Sequence, residues 1–182
     1  MLFRSTPGLT FDYVLEDVQQ LNELALAGKL DFSKVSFGVF PLIQHQYSLL
    51  DAGGALGKGV GPLLISKNPV SPTQVPTSAT ISLPGEHTTA HLLFSWAFPE
   101  HHQKEFRLFS SIEEAVSTGK TDLGVIIHEN RFTYQKKGLH LVSDLGTLWE
   151  QRTDLPIPLG AIAAKRSDRK STRLNSSHVK RS

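Results

Sequence analysis

Short aliphatic runs alternate along this chain with stretches whose apolar residues recur every three or four positions, the signature of an α/β architecture with a mostly parallel sheet. Residues 11–15 read as a strand, followed by a helix over 16–28. In that helix Val18, Leu21, Leu24 and Ala25 share a face, Glu16 and Asp17 occupy the first turn, and Gly28 supplies a stop. A second apolar run covers 35–40, and strands are expected at 46–50 and 62–66 on either side of a glycine-rich loop. Residues 67–76, rich in Pro, Ser and Asn, read as a linker between two lobes. Beyond it, strand 79–83 leads to helix 88–97, and strand 106–109 leads to helix 112–118. Strands at 123–127 and 140–142, a helix over 145–151 and a return strand at 160–164 complete the pattern. The chain carries no internal repeat or coiled-coil heptad.

The sharpest change of character falls at Leu123-Gly124-Val125-Ile126-Ile127-His128-Glu129-Asn130-Arg131, where an aliphatic run stops at a histidine followed by charged side chains. A run without polar alternation suits a strand covered on both faces, and in open α/β sheets ligands collect beyond the carboxyl ends of such strands. His128 at that tip is a candidate for proton transfer. Pro84-Gly85-Glu86-His87-Thr88-Thr89-Ala90 places a glycine turn and two hydroxyls at the start of a helix. The first turn of a helix offers unpaired N–H groups and the positive end of its dipole, so a carboxylate could bind there with help from Thr88 or Thr89. Plain threonine N-capping is the simpler reading in isolation; beside His128 the ligand reading gains weight.

Other candidates are weaker. The glycines from Gly53 to Gly61 leave three residues before Gly57-Lys58 rather than four, and Gly59 follows the lysine, so a nucleotide phosphate loop is excluded. A mobile loop at a cleft mouth, with backbone N–H groups facing a ligand, is the expectation. Lys34-Val35-Ser36 by itself is a solvated lysine beside a small packing serine. Arg131 could pair with Glu129 or grip a substrate carboxylate, and the ion pair is the commoner outcome. His101 and His102 are adjacent, and His128-Glu129 lacks the second histidine of a zinc helix, so no metal site is expected.

Charge and the chain ends alter this picture. Residues 168–178 are the translation of a common short-read sequencing adapter, and residues 1–5 are that of the same adapter in reverse complement. Both ends, 1–5 and 168–182, are therefore expected to be adapter-derived. Of the formal charge of +2, Arg4 and the tail contribute +5, leaving −3 for the residues between. That balance gives no argument for a nucleic-acid or membrane partner. The absence of cysteine excludes disulfides, thiolate metal sites and a cysteine nucleophile. No apolar run is long enough to span a bilayer, and no secretory signal is visible.

The blocks Val14-Leu15-Glu16-Asp17-Val18, Gly53 to Pro62, His87-Thr88-Thr89-Ala90, Ile127 to Tyr134, and Asp144-Leu145-Gly146 with Leu155-Pro156-Ile157-Pro158-Leu159-Gly160 occur in one order and spacing. In these the chain resembles the 1,4-dihydroxy-6-naphthoate synthases of the futalosine route to menaquinone. The resemblance implies an α/β, two-lobe fold of the type 2 periplasmic-binding-protein kind, recruited for catalysis in the cytoplasm. It implies a lyase that converts cyclic dehypoxanthine futalosine to 1,4-dihydroxy-6-naphthoate without metal or organic cofactor. By motif match His128 would be the proton acceptor, with Lys34, Val35 and Ser36 lining the substrate site from one lobe and Thr89 and Ala90 from the other. The only implied partner is the small-molecule substrate, and nothing in the sequence speaks to oligomeric state. The lobes are expected at 6–72 and 73–164, with 165–167 beginning a return to the first.

Members of that family open with Ser-Pro-Cys-Pro-Asn-Asp-Thr-Phe at the cleft, which this sequence lacks. The first lobe is accordingly expected to be truncated at both ends. A solute-binding protein for an aromatic or organic carboxylate would use the same cleft without chemistry, and a chorismate-dehydrating relative would share the fold. Truncation would leave apolar surface uncovered, so the chain by itself is expected to be poorly soluble and inactive. Size-exclusion chromatography and a thermal melt check this, and a clean monomer with a cooperative transition would contradict it.

Overall fold

The computed structural model describes residues 12–166, so residues 1–11 and 167–182, including both segments expected to be adapter-derived, lie outside the described residues. Helix α1 (Val18–Leu26) starts at Asp17, whose carboxylate accepts from the N–H groups of Gln19 and Gln20 at 2.8 and 3.2 Å. It stops where Gly28 adopts φ +63°. There Gly28 N–H bonds the Ala25 carbonyl and Lys29 N–H bonds that of Leu24, the paired bonds of a Schellman end. The remaining elements are β1 (Phe32–Ser36), α2 (Phe40–Ile43), β2 (Tyr47–Leu49), β3 (Ala55–Gly57), β4 (Leu63–Ser66), β5 (Ile81–Leu83), α3 (Thr89–Ala97), β6 (Lys104–Phe106), α4 (Ile112–Ser117), β7 (Leu123–Ile126), β8 (His140–Asp144), α5 (Leu145–Thr153) and β9 (Ile157–Lys165).

These strands form two sheets. In one, β9 is central, pairing β1 on one side and β2 and β3 on the other, all antiparallel. The other runs β6-β5-β7-β4-β8. Its two parallel pairs, β5 with β6 and β5 with β7, are those joined through α3 and α4. β4 and β8 are antiparallel to their neighbours. The expected mostly parallel sheet is thus corrected: parallel pairing requires a covering crossover, and only β5, β6 and β7 are linked by helical ones.

The sheets also divide the chain differently from the expected boundary between 72 and 73. β4 joins β7 and β8 in the second sheet, so the chain crosses between sheets within 58–62, before the Pro-rich stretch. β9, expected inside the second lobe, pairs along its length in the first sheet, with Ser36 opposite Gly160 and Phe32 opposite Ala164. Residues 12–15, expected as part of a strand, are irregular and exposed. Their apolar side chains mimic a strand, but no ladder among the described residues includes them. The strand expected at 106–109 ends at Phe106, because its register with β5 begins at Lys104 opposite Ile81.

Leu64, Ile81, Leu83, Phe94, Val125, Leu145 and Ile157 share one core between the second sheet and helices α3 and α5. Ile65, Ile112, Val116, Ile126 and Tyr134 form the core on its other face. A third cluster joins Ala25, Val35, Val39, Ile43, Tyr47 and Ala163 in the first sheet. Because Ile157 belongs to the first of these cores and Ala163 to the third, β9 ties the lobes into one packed unit. In a protein restored to the length of its relatives, Leu64→Ala, at a fully buried position, is expected to cost about 2–5 kcal/mol. Leu141→Ala, at an exposed position of β8, should cost less than about 1 kcal/mol. Urea midpoints at unchanged m-value check the contrast.

Candidate active site

β7 is buried along its whole length and delivers His128 at its carboxyl end, exposed and in a left-handed backbone conformation with φ +56°. Such a conformation costs a non-glycine residue on the order of 1–3 kcal/mol and persists only where its surroundings hold it. The His128–Phe132 segment is a 3₁₀ turn, and the imidazole meets Phe109 edge-on at 5.6 Å between ring centres. Since β5 runs parallel to β7 with Ser82 opposite Gly124, the chain leaving β5 toward Thr88 emerges at the same end of the sheet as His128.

The amino end of α3 is where the lobes meet. Thr88 is its N-cap: its hydroxyl donates to the Gly85 carbonyl at 2.8 Å and accepts from His91 N–H at 3.2 Å. The Thr89 hydroxyl donates to the Leu159 carbonyl on β9 at 2.9 Å and accepts from Gly38 N–H at 3.3 Å. A side chain at Gly38 would not fit, since a Cβ there would lie 2.6 Å from the Thr88 carbonyl oxygen. Both threonine hydroxyls are therefore occupied within the protein, contrary to the expectation that one would reach a carboxylate. With His91 N–H capped and Leu92 N–H bonded to the Thr88 carbonyl, the N–H groups of Thr89 and Ala90 are those that helix geometry leaves for a ligand. Both residues are buried.

On the first lobe, Lys34 is exposed on β1, Val35 packs into the core, and Ser36 is buried. Val35 therefore presents backbone rather than side chain to any ligand. Ser36 is joined to the α3 turn by a residue the sequence did not single out. Asn22, fully buried on α1, donates to Ser36 Oγ at 3.1 Å and to the His87 carbonyl at 3.0 Å, and accepts from Ser36 N–H at 2.9 Å. One turn earlier, Gln19 Oε1 accepts from His87 N–H at 3.1 Å. Two amides from one helix face thus hold both backbone polar groups of His87. A polar residue amid the apolar positions of the 16–28 helix was the available signal.

Arg131 pairs with Asp144 at 3.2 Å and also bonds the Gly61 carbonyl, so the expected alternative partner, Glu129, gives way to β8 and the interlobe crossing. The glycine-rich segment is tethered rather than an open loop: Ala55–Gly57 pairs with β9, and Gly59 N–H donates to the Glu150 carboxylate at 2.7 Å. A cavity of about 470 Å³ lies at the opposite, amino ends of β5 and β7, lined by Ser66, Lys67, Val75, Thr121 and Leu123 among others, and it includes none of the candidate residues. Among the described residues no three His, Asp or Glu side chains converge as a metal-ligand set, and no helix is long and apolar enough to cross a membrane.

Two α3-linked groups carry perturbed charge. His91 Nδ1 lies 2.7 Å from the Glu86 carbonyl and Nε2 lies 3.2 Å from Lys104 Nζ, which in turn donates to Ser95 at 2.8 Å. Burial, more than its other neighbours, holds the His91 pKa below the usual imidazole value, and burial likewise lowers that of Lys104. The neutral tautomer with hydrogen on Nδ1 satisfies both contacts at once.

A family model described as menaquinone biosynthesis matches residues 1–181. The chain belongs to the menaquinone-biosynthesis family. That match runs through both end segments expected to be adapter-derived. Similar proteins include the Thermus thermophilus 1,4-dihydroxy-6-naphtoate synthase, 44% identical over 153 residues, covering 84% of this chain and 55% of that protein. The Streptomyces coelicolor protein of the same name is 42% identical over 161 residues, covering 86% and 56%. The chain thus spans about half the length of the curated relatives it matches. Among solved structures, protein AF1704 from Archaeoglobus fulgidus superposes with a TM-score of 0.78 at 33% identity, covering 85% of this chain and 57% of that one. The Escherichia coli periplasmic aliphatic sulphonate binding protein does so at 0.60 with 11% identity, covering 87% and 56%. This family member therefore has the α/β fold of the periplasmic binding proteins.

The His91 environment in this menaquinone-biosynthesis protein gives a pH dependence of definite sign. Because its folded pKa is depressed, the unfolded chain binds the proton more readily, so stability is retained above about pH 6.5 and lost as pH falls through that region. His91→Gln is expected to flatten this acid limb, read as urea midpoints between about pH 7.5 and about pH 5. An equally steep limb in the variant would assign the effect to other groups.

Proposed function

We propose that this chain is part of a cytoplasmic lyase that converts cyclic dehypoxanthine futalosine to 1,4-dihydroxy-6-naphthoate. The observation that carries the reading is the 42–44% identity to two proteins that bear the synthase name. The geometry supports it in three ways. His128 stands exposed beyond a buried strand, where its imidazole is open to a bound ligand. The N–H groups of Thr89 and Ala90 open the nine-residue helix α3 and suit the substrate carboxylate. Lys34 and Ser36 approach from the other lobe, Ser36 tied to the α3 turn through Asn22.

In this reading His128 removes a proton from the sugar-derived part of the substrate, and aromatisation of the naphthalene ring drives the fragmentation that follows. The substrate carboxylate is held by main-chain N–H groups rather than by the Thr89 hydroxyl, which is committed to Leu159 and Gly38. Lys34, free of the core, supplies charge at the cleft rim. The reading invokes no metal or organic cofactor.

The test uses a protein restored to the length of its relatives, given cyclic dehypoxanthine futalosine, with the naphthoate followed chromatographically. His128→Ala is expected to lower turnover by roughly 100- to 10,000-fold while substrate still binds. Turnover undiminished by His128→Ala removes the base assignment. No product from the well-folded parent rejects the synthase reading.

A further inference from the structure

Glu113 is the buried acid that the proposed chemistry leaves unused. It sits in α4, 1% exposed, and its Oε2 accepts from Asn130 Nδ2 and from Lys137 Nζ, each at 2.7 Å. Its other oxygen, Oε1, is buried without a partner. Taking a carboxylate out of water is costly, and an apolar residue at this position would pack against the same core at no such cost. Lys137, at 54% exposure, remains largely in water, so the interaction that the burial shelters is the one with Asn130.

Asn130 belongs to the His128–Phe132 turn. α4 itself is fixed to β7, for Ile112 and Val116 lie so close over Gly124 that a Cβ there would be 2.6 and 2.8 Å from their methyl groups. Glu113 therefore connects the helix that grips the strand to the turn that follows it. On the opposite side, Arg131 is held by Asp144 and the Gly61 carbonyl. Adjacent residues of one turn are thus pinned in two directions, and His128, in its left-handed conformation, lies just before them.

We propose that Glu113 is a positioning residue for His128, acting through its hydrogen bond to Asn130. The inference rests on the reading of His128 as the base. Glu113 touches no reacting atom; it fixes the turn so that the imidazole presents its nitrogen at one place. Displacing a base by about an ångström can cost on the order of 100-fold in rate without weakening substrate binding, so the effect falls on kcat.

The experiment compares Glu113→Ala, Asn130→Ala, the double variant and Glu113→Gln in the restored enzyme. Steady-state kinetics are read together with the imidazole resonances of His128, which are sensitive to the neighbouring Phe109 ring. Glu113→Ala and Asn130→Ala are each expected to lower kcat by ~10- to 100-fold, with KM changed by less than about threefold, and to move the His128 resonances. The double variant should be no slower than the slower single variant, because both remove one bond. Glu113→Gln, which keeps an acceptor for Asn130, should recover most of the loss. Variants that melt at lower temperature yet keep kcat and the His128 resonances overturn the proposal, as does a loss confined to KM or fully additive losses. If Glu113→Ala does not fold, Asn130→Ala on the partly exposed turn decides by the same readouts. Should His128→Ala leave turnover intact, the base assignment fails on its own, and the resonances still decide whether Glu113 positions the ring.

Discussion

The amino end of α3, in the second lobe, is gripped by three elements of the first, and the placement of Thr89, Ala90 and Ser36 follows from that grip. Thr89 spends its hydroxyl on β9 and on the turn after β1, Gly38 allows the backbones to touch, and Asn22 and Gln19 of α1 hold His87 by its N–H and its carbonyl. These are buried or half-buried polar contacts, and leaving such a group unpaired costs on the order of 1–3 kcal/mol. The junction is consequently specific: the lobes meet in the one alignment that satisfies all of these groups. β9 reinforces it, starting in the core under α3 and α5 and ending in the core beside Val35.

A clamp of this kind determines what is left for a ligand. Once side-chain hydroxyls serve the junction, the remaining donors at the helix start are main-chain N–H groups, whose direction is fixed by the helix itself. A rigid pair of main-chain donors suits an anionic ligand better than a set of mobile hydroxyls would. Sulphonate-binding proteins share the fold at 11–14% identity. The fold therefore does not by itself select catalysis over capture, because function resides in the site grafted on it. The proposed catalytic reading rests instead on the histidine beyond β7 and the pinned turn that begins with it.

Much of the fold was legible because its signals are local. The α1 stripe with Asp17 before it and Gly28 after it, the threonine cap of α3, and the unbroken aliphatic run of β7 each declare themselves within about ten residues. Pairing was less legible, because it depends on partners far along the chain. Leu63–Ser66 looks the same whichever sheet it joins, and the Pro-rich stretch after it suggested a boundary that the β4 ladder places earlier. The glycines of 53–61 suggested an open loop, whereas a short ladder to β9 and the Glu150 carboxylate hold them. Asn22 left only a faint mark, a polar residue on the apolar face of α1, and Glu113 left none, for a related reason. A single polar residue on a helix reads as solvent-facing until tertiary packing shows what it bonds.

Ligand binding where the lobes meet, at the start of α3, is to be distinguished from binding in the cavity at the far end of the second sheet. The most direct measurement is a backbone amide titration by NMR of the restored protein with 1,4-dihydroxy-6-naphthoate. Binding at the lobe junction gives the largest shifts at Thr89 and Ala90, with smaller ones at Ser36 and His128. Shifts centred on Lys67, Thr121 and Leu123, with the α3 amides unmoved, would contradict it.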